Sequence, residues 1–186
     1  FVQEPVYEKF VEKFARAASL IRVGNPLEKE TQMGPLVSKE HREKVLGYIE
    51  LARQEGGEIL CGGSIPSLAP PFDEGYFLTP TVITGLSANC RTMQEEIFGP
   101  VVTISPFKTE EEAIKLANDV EYGLSSSVWT GDAARAHRVA RQIQVGTVWV
   151  NCWMLRDLAM PFGGMKFSGL GREGGDFSLD FFTEVK

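Results

Sequence analysis

The sequence predicts an α/β fold, a three-layer α/β/α arrangement in which helices cover both faces of a mostly parallel sheet. Strand-like and helix-like segments alternate through the second half of the chain. This alternation is typical of βαβ units, whose crossover helices pack on a parallel sheet. The 186 residues, 43% of them hydrophobic and 24% charged, can bury a sizeable core. No repeat or linker interrupts the chain, so residues 1–186 are interpreted as a single domain.

Helical spacing of apolar residues predicts two helices in the first third of the chain. The first helix, Pro5–Ile21, tolerates its proline because first-turn N–H groups have no helical partner. Its predicted core face consists of Val6, Phe10, Phe14, Ala17 and Ile21. Ser38 is the predicted N-cap of the second helix, which ends at Gly56-Gly57. The core face of this second helix is predicted to consist of Val45, Ile49 and Ala52.

Shorter elements follow, and a loop over residues 62–75 with three prolines interrupts them. Runs rich in β-forming residues predict strands at Glu58–Cys61, Tyr76–Ile83, Val101–Phe107, Leu124–Thr130 and Val145–Asn151. Thr109 and Glu112 form a capping box that predicts a helix through Asn118. A further helix is predicted over Asp132–Gln142.

Composition and charge argue against several classes of function. The net charge is −6 and the basic residues are scattered, so no nucleic-acid partner is expected. No apolar run approaches the roughly 20 residues that cross a bilayer, so no membrane partner is expected. Three cysteines without a CxxC pair and two histidines predict neither a disulfide framework nor a metal site. The simplest interpretation is a reducing compartment, the cytoplasm.

Glycines concentrate in Met160–Glu173, which reads MPFGGMKFSGLGRE. This segment is predicted to be a loop, because Gly costs roughly 0.5–1 kcal/mol relative to Ala inside a helix or strand. Its glycine spacing is not a dinucleotide fingerprint, since the strand–turn–helix context is missing. Beyond it, Phe177–Val185 is predicted to form a short final helix or strand.

Several sequence strings, in order along the chain, resemble the aldehyde dehydrogenase superfamily. They are GNP at 24–26, MGPL at 33–36, EEIFGPV at 95–101, VNCW at 150–153 and the glycine loop. The resemblance covers essentially the whole chain and implies the C-terminal, catalytic-domain segment of that family. It also implies NAD as the cofactor, with NADP not excluded, an aldehyde as the small-molecule substrate, and a homo-oligomer as the full-length protein.

The resemblance implies that Glu96 holds the nicotinamide ribose and that Phe98 lies near the nicotinamide ring. A carboxylate suits this role because it can accept hydrogen bonds from both hydroxyls of a diol. In the family, polar groups of the second helix approach the ribose, which assigns cofactor contacts to His41 and Lys44. The alternatives are a solvated carboxylate pair at Glu95-Glu96 and solvated helix-surface side chains at His41 and Lys44.

The pattern NCW…RDL…PFGG resembles the branch that oxidises 2-aminomuconate and 2-hydroxymuconate semialdehydes, whose substrates carry a carboxylate. This resemblance implies that Arg156 pairs bidentately with the substrate carboxylate. It also implies that Phe162 closes on the aldehyde end of the substrate tunnel. The alternatives are Arg156 paired with Asp157 or facing water, and Phe162 plugging the core under a flexible loop.

The resemblance places the nucleophilic cysteine, the glutamate base and most of the nucleotide-binding domain upstream of Phe1. The chain is therefore expected to be a piece of a longer enzyme, with no catalytic residue of its own and no activity alone. Cys61, Cys90 and Cys152 are expected to be buried structural thiols. Two alternatives stay open: a general aliphatic or aromatic aldehyde dehydrogenase, and a non-catalytic structural or interaction module that reuses the fold.

Overall fold

The computed structural model describes residues 1–184 and 186. The chain forms two compact units, Phe1–Lys108 and Thr109–Lys186, and each is described by itself. The interpretation of residues 1–186 as a single domain stays a prediction. Val185, the last residue of the predicted final element, lies outside the described residues.

The first unit holds three helices and five strands among its described residues. In chain order they are β1 (Val2–Gln3), α1 (Glu4–Ser19), α2 (Lys39–Gln54), β2 (Glu58–Cys61), β3 (Thr81–Thr84), α3 (Arg91–Gln94), β4 (Val101–Thr103) and β5 (Pro106–Phe107). Strands β1 and β5 pair in parallel, while β3 lies between antiparallel β2 and parallel β4. All four residues of β3 are buried, so this strand forms the centre of the unit.

Helix α2 follows its prediction closely. The Ser38 hydroxyl accepts a hydrogen bond from the His41 N–H at 3.1 Å and caps the first turn. The predicted core residues of this helix are all buried, namely Val45, Ile49 and Ala52. Val45 and Ile49 pack with buried Leu78, and this contact fixes which face of α2 turns outward.

The predicted core face of α1 is wrong. Val6, Phe10 and Phe14 are 54%, 42% and 36% exposed, and the helix buries Val11 and Ala18 instead. Both sets follow helical spacing, so periodicity could not choose between two apolar faces. A long-range contact helps to set the rotation, because the Tyr7 hydroxyl on the buried side donates to the Ile104 carbonyl at 3.1 Å.

Two predicted strands are shorter than expected. The Tyr76–Ile83 run is strand only from Thr81, since Pro80 has no N–H and the Thr79 N–H donates to the loop carbonyl of Ser64. The Val101–Phe107 run is divided because β4 pairs with β3 and β5 pairs with β1. Helix α3, a single turn, was not predicted.

The second unit holds three helices and four strands among its described residues. They are α4 (Glu110–Asn118), β6 (Tyr122–Gly123), β7 (Ser125–Val128), α5 (Ala133–Gln142), β8 (Thr147–Val150), β9 (Met165–Lys166) and α6 (Gly175–Phe182). The predicted cap at Thr109 is confirmed, because its side chain accepts from the Glu112 N–H. Asp132, predicted as the first residue of a helix, is the N-cap of α5 and accepts from the Arg135 N–H.

A βαβ unit forms the centre of the second unit, as predicted. Strands β7 and β8 pair in parallel, and α5 connects them. This helix turns Ala136 and Val139 inward, while Trp149 of β8 is buried. Strand β9 lies inside the glycine loop and pairs antiparallel to β6. The final element is a helix, α6, of which Phe177 forms part.

The α/β class is confirmed. Among the described residues, three of the five strand pairs are parallel, and the strands form four small sheets instead of one continuous sheet. None of the helices in this described part of the chain is long and apolar enough to cross a membrane.

Candidate functional sites

In the first unit, the loop 95–100, hereafter the docked loop, lies against one face of α2. The His41 ring nitrogen Nε2 lies 2.6 Å from the Phe98 carbonyl oxygen. Because a carbonyl can only accept, Nε2 carries the hydrogen. Lys44 Nζ donates to the Glu96 carbonyl at 3.3 Å. The structure therefore brings together all four predicted cofactor residues, His41, Lys44, Glu96 and Phe98.

Close packing also fixes the docked loop at Gly99. A Cβ atom at this position would lie 2.6 Å from Cγ2 of Val45, a side chain with no exposed surface. Only a residue without a side chain lets the loop backbone approach α2 this closely.

Phe98 has a left-handed backbone, with φ of +56°, and the residue is 75% exposed. Such a conformation costs a non-glycine residue about 1–2 kcal/mol. The ring stands edge-on to the His41 ring, with centroids 6.1 Å apart. The loop therefore presents an aromatic surface to solvent, and the hydrogen bond from His41 to the Phe98 carbonyl holds its backbone.

The two adjacent carboxylates of the docked loop have different surroundings. Glu95 accepts two hydrogen bonds from Arg91, at 2.7 and 3.0 Å, and one from the Tyr48 hydroxyl at 2.7 Å. These bonds, those of Arg91 first, lower the pKa of Glu95 to about 2. The Glu96 side chain is exposed, and its carboxylate has no hydrogen-bond or ion-pair partner within residues 1–184 and 186.

An open surface groove of about 440 Å³ lies along α2. It is lined by Lys44, Gly47, Tyr48, Leu51, Gln54 and Arg91. Lys44 therefore borders open volume while it bonds the loop backbone. The side chains of His41 and Lys44 both hydrogen-bond loop carbonyls, and their contacts with a cofactor stay a prediction.

In the second unit, three residues form a group that we call the arginine cluster: Arg156, Phe162 and Glu173. The Arg156 guanidinium lies over the Phe162 ring, 4.3 Å from its centroid, within the range of a cation–π contact. Its Nη2 atom lies 3.4 Å from Glu173 Oε1. Phe162 and Glu173 also exchange backbone hydrogen bonds of 2.8 Å in both directions.

Glu173 was not predicted as a member of this cluster. The alternatives for Arg156 were a pair with Asp157 or a position facing water. The Asp157 carboxylate instead accepts from the Ala159 N–H at 2.9 Å, within its own loop. The ion pair with Glu173 spans 17 residues and depends on the backbone bridge inside the glycine loop. Local sequence carries no signal for such a pair.

The segment that leads from β8 to Arg156 is held by its own hydrogen bonds. The indole N–H of buried Trp149 donates to the Leu155 carbonyl at 2.9 Å, one residue before the arginine. The Ser127 hydroxyl donates to the Cys152 carbonyl at 2.7 Å. Trp149 also packs against Trp153, with centroids 5.0 Å apart. The backbone next to Arg156 is therefore tied to the core of its unit.

The cysteines are half-buried, not fully buried as expected. Burial raises the pKa of the Cys61 and Cys90 thiols, which disfavours the reactive thiolate. Across the described part of the chain, no three His, Cys, Asp or Glu side chains come together as they would to hold a metal ion.

Comparisons with known proteins show the family. A model of the aldehyde dehydrogenase family matches residues 1–186. The chain is 52% identical over 188 residues to 2-aminomuconic semialdehyde dehydrogenase from Bos taurus, covering 100% of this chain and 39% of that protein. It is 46% identical to 2-hydroxymuconic semialdehyde dehydrogenase from Pseudomonas sp. strain CF600, covering 100% of this chain and 38% of that protein. The chain thus spans about two-fifths of the length of these relatives.

Solved structures show the same fold. HpcC from Thermus thermophilus aligns with a TM-score of 0.92 at 46% identity, over 100% of this chain and 36% of that chain. Betaine aldehyde dehydrogenase from Staphylococcus aureus, in complex with NAD⁺, aligns with a TM-score of 0.93 at 42% identity, over 97% of this chain and 36% of that chain. The family match over the full length, together with these structures, confirms the resemblance: the chain belongs to the aldehyde dehydrogenase family.

Proposed function

We propose that this chain supplies cofactor- and substrate-positioning groups of an NAD-dependent aldehyde dehydrogenase that oxidises an acidic semialdehyde to a carboxylate. The observation that carries the proposal is the Glu96 carboxylate, exposed and unpartnered within the described residues, on a loop that is fixed against α2. The names of the muconic semialdehyde relatives support the substrate class.

The donor set of the docked loop fits a nucleotide ribose. Glu96 would accept hydrogen bonds from the ribose hydroxyls, since an ionised carboxylate is an acceptor with several free lone pairs. Lys44, which bonds the Glu96 carbonyl, would place a positive charge near the ribose. The exposed ring of Phe98 would limit the positions open to the nicotinamide. When bound, NAD would accept the hydride.

The arginine cluster fits the substrate's remote carboxylate. The Arg156 side chain is 28% exposed, and only its Nη2 atom contacts Glu173, at the long distance of 3.4 Å. Its planar guanidinium therefore keeps donors for a bidentate pair with an incoming carboxylate. Phe162 lies under the guanidinium and would contact the apolar part of the same substrate. The homo-oligomer and the cytoplasmic location stay predictions from the sequence.

The proposed role in cofactor binding is tested by Glu96→Gln in the full-length parent protein. NAD affinity, measured by calorimetry without aldehyde, is expected to fall roughly 10- to 150-fold, because hydrogen bonds to a charged group are worth about 1.5–3 kcal/mol. Glu12→Gln, an exposed position on α1, is the matched control and should bind NAD as the wild type does. Equal affinities for the two variants would refute the role of Glu96.

A second candidate is a general aliphatic or aromatic aldehyde dehydrogenase. The observation that favours it is the ion pair between Arg156 and Glu173, which gives the arginine an internal partner. In that case the guanidinium has a local structural role and does not select anionic substrates. Substrate selectivity of Arg156 variants, described in the Discussion, separates the two candidates.

A further inference from the structure

Glu95 and Glu96 are neighbours in the chain but face different surroundings. The Glu95 backbone is extended, with φ of −96° and ψ of 151°. Successive side chains of an extended backbone point to opposite sides. When the Glu95 carboxylate is fixed against α2, the Glu96 carboxylate is directed away from it, toward solvent. The position of one carboxylate therefore sets the direction of the other.

Tyr48 and Arg91 hold Glu95 from two different elements. Tyr48 belongs to α2 and lies one helical turn beyond Lys44, on the face that contacts the docked loop. Arg91 is the first residue of the single turn α3, and its guanidinium donates a hydrogen bond to each carboxylate oxygen of Glu95. A carboxylate with three donors at 2.7–3.0 Å cannot turn without breaking charge-assisted bonds.

Helix α3 is itself fastened to α2. Glu55, at the C-terminal end of α2, accepts from the backbone N–H groups of Arg91 at 2.9 Å and Thr92 at 3.1 Å. The Thr92 hydroxyl adds a third bond to Glu55 at 2.6 Å. Both ends of α3 are therefore tied to the helix that supports the docked loop: the first by Glu55, the second through Glu95 and Tyr48.

The remaining loop contacts fix the backbone but leave the Glu96 side chain unrestrained. His41 and Lys44 bond to carbonyl oxygens, and Gly99 packs on Val45. We propose that Tyr48, Arg91 and Glu95 are positioning residues, which orient Glu96 for the cofactor ribose without touching the cofactor themselves. This inference rests on the proposed function of Glu96.

The experiment measures NAD affinity of the full-length parent protein, without aldehyde, for Tyr48→Phe and Glu95→Gln. Tyr48→Phe keeps the ring and loses one hydrogen bond, so the NAD dissociation constant is expected to rise roughly three- to tenfold. Glu95→Gln should shift it in the same direction. The matched control is Tyr7→Phe, which removes a comparable tyrosine hydrogen bond, to the Ile104 carbonyl, away from the docked loop.

A role in positioning predicts weaker NAD binding while KM for the aldehyde at saturating NAD stays at the wild-type value. Tyr7→Phe should leave NAD affinity unchanged even where it lowers the melting temperature. If Tyr48→Phe and Glu95→Gln bind NAD like the wild type while Glu96→Gln does not, positioning is refuted and the proposed function stands. If all three variants bind NAD like the wild type, the proposed role of Glu96 fails as well.

Discussion

The docked loop and the arginine cluster present their functional side chains in different ways. The docked loop is tied by hydrogen bonds and close packing to a single regular helix, α2, whose Val45 and Ile49 are buried. The arginine cluster lies between a strand end and a glycine-rich loop, and its parts are joined by a backbone bridge, a 3.4 Å ion pair and a cation–π contact.

This difference indicates which kind of mutation each site tolerates. Groups held by a helix face keep their geometry because the helix ladder and the core fix their positions together. Groups held by loops depend on a few individual contacts, so ligand charge can compete with the contacts already present. We therefore expect the first site to respond most to packing and the second to respond most to charge.

The largest expected effect is the loss of selectivity on removal of the Arg156 charge. In the full-length parent, Arg156→Met should raise KM for an anionic semialdehyde far more than for a neutral aldehyde of similar length. A charge pair broken in a desolvated site costs about 2–5 kcal/mol. Steady-state kinetics with both substrates measure the difference. Arg141→Met, at an exposed position near the end of α5, is the matched control. Equal changes for both substrates would favour the general aldehyde dehydrogenase.

Packing of the docked loop is tested by Gly99→Ala. The added methyl group would lie 2.6 Å from Val45, so loop or helix must shift, at a cost of about 1–3 kcal/mol in unfolding free energy. NAD affinity of the full-length parent should fall with it, because His41 and Lys44 bond the adjacent loop carbonyls. Gly47→Ala on α2, where a Cβ meets open space, is the control for chemical unfolding and NAD titration. Unchanged NAD affinity in Gly99→Ala would show that loop docking is irrelevant to the cofactor.

The sequence predicted the docked loop better than the arginine cluster, for physical reasons. Ser38 and the core face of α2 are local signals, and they place His41 and Lys44 without any long-range information. The partners of the loop, by contrast, are distant in sequence. Glu55 caps α3 from 36 residues away, so no local capping residue predicts the single turn at Arg91.

The wrong face of α1 and the missed role of Glu173 have a common origin. An amphipathic pattern identifies a helix but cannot rank two apolar faces, and α1 has both Phe10 on its exposed side and Val11 on its buried side. Similarly, the family pattern NCW…RDL…PFGG identifies Arg156 but not which acid reaches it. In both cases tertiary contacts decide, and these contacts join residues that no local pattern connects.

A smaller effect is expected in the acid stability conferred by Glu95. Its pKa is lowered to about 2, so the ionised form favours the folded state, and the contribution is complete above the ordinary carboxyl value of 4.5. It is lost as the pH falls from 4.5 toward 2, because the unfolded state then binds a proton at this carboxyl that the folded state does not bind. The free energies of unfolding of the full-length parent and of Glu95→Gln, measured in urea, should therefore differ by a constant amount at neutral pH. This difference should shrink below pH 4.5. If the difference in free energy of unfolding grew as the pH fell, the stabilising role of the ionised Glu95 would be contradicted.

The smallest effect, and the sharpest test of the arginine cluster, is expected from Glu173→Gln. Glu173 is 66% exposed on its side chain, so its ion pair with Arg156 is worth about 0–1 kcal/mol. If Glu173 competes with the substrate carboxylate, its neutralisation should lower KM for an anionic semialdehyde by up to about fivefold and leave a neutral aldehyde unaffected. Glu121→Gln, exposed in the same unit, is the matched control. A higher KM in Glu173→Gln would instead mean that Glu173 orients Arg156, so that the internal carboxylate assists binding and does not compete with it.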